Sequence, residues 1–231
     1  MDDVISDALA LYDDPSRIEP REELGGAVFV AHGWYSATRD CARGALLMEQ
    51  AGLSRSASPL RRSMIEHALA LFWLADAPED VLASLRMAEQ EHIKKLDEAM
   101  AGGAWSVPPG LIEGLLSPTA TGSHENTNLH VAHLARRLGQ PNMLVVWLHE
   151  TATCHANLSS ASRYVATWPG NETNGLADAA VPNSGKDQIA LLLLLASDGF
   201  NQFLVGTPWK PQLVDLERRF REALATARAE A

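Results

Sequence analysis

Cysteine is almost absent from this chain. Only Cys41 and Cys154 occur, far apart and in no Cys-x-x-Cys or Cys/His ligand spacing. That excludes a disulfide scaffold, and two reduced thiols in a cytoplasmic protein are the expectation. An excess of positive charge is missing as well. The formal net charge is −10, which argues against a nucleic-acid binder held by general electrostatics, because phosphate binding draws on a basic surface. A local basic pocket stays compatible with it. Long apolar runs are lacking too. The longest, Ile189 to Ala196, is far shorter than the roughly 20 residues that cross a bilayer, so it reads as core and no membrane partner is expected. The opening stretch MDDVISDALALYDD has no cationic region followed by an apolar one, and no signal peptide is expected. The sequons at Asn157 and Asn171 therefore carry no weight. Neither a Gly-rich phosphate loop, a G-x-S-x-G elbow nor an H-E-x-x-H is present, and no internal repeat or convincing strand appears.

What the chain does have is Ala and Leu in long periodic segments, with modest β-branched and aromatic content. That composition favours helices. A short amphipathic helix is expected from Asp2 to Asp14, stopped by Pro15. A long one follows from about Glu22 to Ala51, with Gly52 as its C-cap and Gly25, Gly26, Gly33 and Gly44 weakening its continuity. Ser58-Pro59 supplies an N-cap and a first-turn proline for a helix reaching Asp76. Another opens at Ala77-Pro78-Glu79-Asp80, with its acidic residues at the positive dipole end, and runs to Gly102-Gly103.

Residues 102–126 are rich in Gly, Pro, Ser and Thr and read as an irregular connection, with one helical turn around 111–116. Beyond it come a short helix closed by Gly139, a long helix from Pro141 to Trp168, a second irregular connection to Lys186, a buried helix from Asp187 to Gly206, and an exposed charged helix from Pro211 to Ala231. The reading is all-α: one helical domain over 1–231, as a bundle whose N-terminal half (1–101) and C-terminal half (127–231) flank the connection.

The candidate chemistry lies where the helix SPLRRSMIEHALALFWLAD turns apolar. Arg62 and Glu66 stand four apart on one face, which Leu69 and Trp73 continue, with His67 on the flank. Exposed, such an Arg–Glu pair contributes about 0.2–0.5 kcal/mol; buried, losing one partner costs about 3–5 kcal/mol. In WLHETATCHAN, Thr151 and His155 share a second helical face, with His149 and Glu150 turned away from it. The plain reading is structural: a buried polar node of Arg62, Glu66, Thr151 and His155 tying two helices together in a non-catalytic module that binds a protein partner or a small ligand.

These two stretches also resemble a group of uncharacterised bacterial helical proteins, in which an R-x-x-x-E helix is followed some ninety residues later by a helix reading roughly aromatic-x-x-L-S-x-x-x-H. Arg62 and Glu66 match the first element and His155 the second, with Thr151 in place of Ser. Such proteins are in turn similar to HEPN domains, many of them toxin or antiphage ribonucleases, whose Arg-to-His spacing Arg62 and His67 satisfy. The resemblance implies a HEPN-like fold, a homodimer, and metal-independent cleavage of RNA by an endoribonuclease. In it Arg62 stabilises phosphate charge, while His67 or His155 transfers protons beside Glu66. No cofactor and no metal are implied.

Other groupings rank lower. Glu89 and His92 have the E-x-x-H spacing of one half of a di-iron site, but on a charged, solvated segment. His130 and His133, with His124, lack a well-spaced set of zinc ligands. Trp34, Trp73, Trp147 and Trp168 read as core before they read as a ligand pocket. Arg218, Arg219, Arg221 and Arg228 alternate with glutamates, as on a solvated face or a dimer contact.

Overall fold

Local chemistry sets most of the helix boundaries. The computed structural model describes residues 1–101, 131–155 and 185–230, and these are all-α. The helices are α1 (Asp2–Ala10), α2 (Gly26–Gln50), α3 (Ser58–Asp76), α4 (Pro78–Ala101), α5 (Val131–Arg137), α6 (Pro141–Cys154), α7 (Gly185–Asn201) and α8 (Lys210–Glu230). The connection expected at 102–126 and its helical turn at 111–116 lie outside the described residues. So do the start of the helix closed by Gly139, the continuation expected from 156 to 168, and the second connection up to residue 184.

Gly52 closes α2 as expected. It takes φ +71, and the amides of Gly52 and Leu53 bond back to the carbonyls of Glu49 and Met48 at 3.0 and 2.7 Å. Two orphan carbonyls at the helix end are thereby satisfied, in the pattern that a left-handed glycine permits. Gly139 repeats the device after α5, with Gln140 N–H on the Ala135 carbonyl at 2.7 Å.

Other boundaries differ from expectation. Glu22–Leu24 is a 3₁₀ turn, and α2 begins only at Gly26, beyond Gly25 at φ +47. Gly33 and Gly44 do not break α2. At Gly44 the missing side chain is used: a Cβ there would sit 3.0 Å from Leu60 Cδ1, so α2 and α3 meet closely. Ser58 is not the N-cap of α3. A 3₁₀ turn at Ser54–Ala57 runs straight into the helix, and Ser58 lies inside its first turn. The helix expected to run unbroken to Trp168 stops at Cys154, with His155 extended at φ −94, ψ 149.

The middle of the structure is α3. From Met64 to Leu74 it buries Met64, Ile65, Ala68, Leu69, Leu71, Trp73 and Leu74, so it has no broad solvent face and packs on α2, α5, α6 and α7. It also comes close to α7, where a Cβ on Gly199 would lie 2.9 Å from Leu71 Cβ. A ring stack of Tyr35 on Phe200, at 4.7 Å and 3° between planes, joins α2 to α7 beside the buried Trp209. The Tyr35 hydroxyl bonds Ser197 Oγ at 3.1 Å. Hydrophobic burial at about 25 cal/mol per Å² dominates this assembly. One contiguous apolar cluster draws residues from all eight helices.

Candidate functional site

The face that carries Arg62 and Glu66 on α3 meets α6. Arg62 Nε donates to Glu66 Oε1 at 3.0 Å, one turn along the same helix. Trp147 on α6 donates its indole N–H to that same oxygen at 2.9 Å. The Arg62 guanidinium lies over the Trp147 ring, 5.1 Å from its centroid, an attractive geometry for a cation on a π face. Arg62 Nη1 then reaches His155 Nε2 at 3.0 Å. A guanidinium only donates, so His155 Nε2 accepts and the ring carries its proton on Nδ1. Two groups 93 residues apart in sequence, Arg62 and His155, are thus in contact.

This node is not dry. The side chains of Arg62 and Glu66 are 29% and 39% exposed, and His155 is exposed. The reason is local. With α6 ending at Cys154, His155 sits at an open helix end, not midway along a buried helix. Thr151 does not join the node: its Oγ1 is buried and has no hydrogen-bond partner among the described residues. His67 stands apart as well. It is half-buried, its Nδ1 is buried without a hydrogen-bond partner among the described residues, and no hydrogen bond joins it to Arg62. Burial, opposed by the nearby Glu66 charge, holds its pKa below the ordinary 6.5.

The dry polar centre lies one residue earlier. Arg61, with only 7% of its side chain exposed, meets the 1%-exposed Glu150 on α6. The pair is bidentate, with Nε on Oε1 at 3.1 Å and Nη2 on Oε2 at 3.2 Å. Nη1 reaches Glu49 Oε1 on α2 at 2.9 Å and the Ser54 carbonyl at 3.0 Å, and Nη2 also reaches Ser58 Oγ at 3.3 Å. One cation therefore serves two carboxylates. The excess negative charge is met by Ser54 Oγ, which donates to Glu49 Oε1 at 2.8 Å, and by the N-terminal end of α7. Gly185 opens that helix, and a Cβ on it would fall 1.7 Å from Glu49 Oε1, so the carboxylate lies directly against the helix start.

Sequence reasoning took Arg62 and passed over Arg61, Glu49 and Glu150. A signal was present. Arg61 falls on the stripe of Ser58, Ile65 and Ala68, all buried, so it is the arginine on the apolar face. Glu150 stands seven residues after the buried Met143 and shares its side of α6.

The remaining candidates are dispersed. Glu89 and His92 are both exposed on α4, and among the described residues no three metal-ligating side chains converge. His124 and His130 lie outside the described residues, and His133 is exposed. Of the tryptophans, Trp73 is core, Trp34 and Trp147 are partly buried, and Trp168 lies outside the described residues. No helix among the described residues is long and apolar enough to cross a membrane. Comparison with protein-family models, curated proteins and solved structures finds no match to this chain.

Proposed function

We propose that this chain is a non-catalytic helical module, a single bundle of HEPN-like character in a bacterial cytoplasm. Its Arg62, Glu66 and His155 form a recognition point for a polar ligand or a protein partner. The observation that carries the reading is the way Arg62 is held: Nε on Glu66, its plane on Trp147, Nη1 on His155. A guanidinium fixed on three sides is pre-oriented, so little rotamer entropy is lost when it binds. Its charge is largely answered by a carboxylate 3.0 Å away. A dianionic phosphate brought to Arg62 meets that carboxylate, which favours neutral or singly charged polar groups. The buried Arg61 centre supports the platform from beneath, binding α2, α3 and α6 together.

A second reading is favoured by the 3.0 Å approach of a guanidinium to an imidazole at an exposed helix end. In it the chain is a metal-independent ribonuclease, with Arg62 turning from His155 to stabilise the phosphate and His155 abstracting the 2′-hydroxyl proton at the Nε2 that this frees. Incubation with total RNA in EDTA separates the two. No cleavage is expected; cleavage abolished by Arg62→Ala and by His155→Ala overturns the binding-module reading. Its positive test is thermal unfolding against a panel of small carboxylates, amides and phosphates. A ligand at about a hundred times its Kd stabilises by about 2.7 kcal/mol, and that shift should vanish in Arg62→Ala. A panel that shifts wild type and variant equally removes the node from recognition.

A further inference from the structure

We propose that the outer face of α7 and α8 is a two-fold interface between two copies of this chain. The two helices lie side by side and antiparallel, with Lys210 at the start of α8 against Asp198 near the end of α7. Between them they leave an open groove of about 310 Å³, floored by Leu194, Leu213 and Phe220. Val214 and Leu191 stand at its edges, 57% and 38% exposed. An apolar edge beside an apolar hollow is the shape that one copy of the same surface fills in another.

Charge permits the copy, and its placement along α8 selects it. The molecule carries −10, which opposes self-association, so two copies meet best on a face without net charge. This face is balanced: the groove ends are Asp198 with Lys210, and Glu217 with Arg221. Its arrangement also suits a two-fold axis. Lys210 and Glu217 are two turns apart, about 20° from alignment on one stripe, with Leu213 and Val214 midway. An axis through that midpoint sets α8 antiparallel to its copy and places Lys210 of each against Glu217 of the other. An isologous interface needs unlike charges at equal distances from the axis, and this stripe supplies them. The pairs already made within the chain, Lys210–Asp198 at 3.4 Å and Arg221–Glu217 at 2.5 Å, are exposed. They are able to extend into four-charge clusters across the contact.

Sedimentation velocity and light scattering on the full chain, over a range of concentrations, test the proposal. A mass of twice 25.0 kDa is expected. Val214→Glu puts like charges face to face at the axis and should weaken the dimer by about a hundredfold or more, with helical circular dichroism unchanged. Lys210→Glu should weaken it less, and Lys210→Glu combined with Glu217→Lys should recover part of that loss. A wild-type chain that stays monomeric overturns the interface. A dimer indifferent to Val214→Glu places the contact elsewhere and overturns it equally.

Discussion

Replacing Glu150 with Ala should be among the most damaging single substitutions in the protein. Glu150 offers both oxygens to Arg61, at 3.1 and 3.2 Å, with almost no solvent reaching either group. Without it the buried guanidinium keeps Glu49, the Ser54 carbonyl and Ser58, and loses its bidentate partner. Breaking a buried pair from one side costs about 3–5 kcal/mol. Arg61→Ala belongs at the upper end of that range, since it leaves two carboxylates buried with no cation between them. At about 2–4 °C per kcal/mol for a chain of this size, Glu150→Ala should lower Tm by roughly 6–20 °C.

The internal control is Glu66→Ala, which removes a carboxylate from an Arg–Glu pair of the same kind, but a solvated one. It removes a solvated i,i+4 pair and one indole hydrogen bond, together about 0.7–2 kcal/mol. Urea unfolding followed by far-UV circular dichroism measures both. If Glu150→Ala costs under about 1 kcal/mol, or if Glu66→Ala costs more than Glu150→Ala, the assignment of the dry centre to Arg61 is wrong.

Nitrogen-edited NMR of the His155 ring should show the proton on Nδ1, and Arg62→Ala should relax that preference; a ring protonated on Nε2 in the wild type contradicts the contact. Gly199→Ala drives a Cβ to within 2.9 Å of Leu71 Cβ, and overpacking of that kind should cost about 1–3 kcal/mol in the same urea assay. Burial raises the Tyr35 phenol to about 12 from the ordinary 10.0. Unfolded chains lose that proton first, so Tyr35 stabilises fully below pH 10.0 and the contribution disappears as pH rises towards 12. Tyr35→Phe should flatten that part of the stability profile. Burial depresses His67 below 6.5, so the unfolded chain takes up its proton first as pH falls, and stability should drop below that value in wild type and less in His67→Leu.

The helical class was legible in the sequence because it rests on local chemistry. Periodic Ala and Leu, Pro59 in a first turn, and glycines at 52 and 139 act within a few residues of themselves, and each is found where its own backbone requires it. The node was legible in part. Arg62 and Glu66 pair because residues four apart on a helix are neighbours in any fold, and His155 does come to Arg62.

Its setting was not legible. Whether Arg61 or Arg62 faces inward turns on a rotation of 100° about the α3 axis, and that rotation is settled by where α2 and α6 pack, not by α3 itself. The stop of α6 at Cys154, which exposes His155, and the burial of Glu150 against an arginine 89 residues away follow from the same packing. So the sequence alone determined that this chain makes helices, and roughly where. Only the tertiary structure decided which arginine is buried with two carboxylates and which stays at the surface, because desolvation belongs to the assembled helices and to none of them singly.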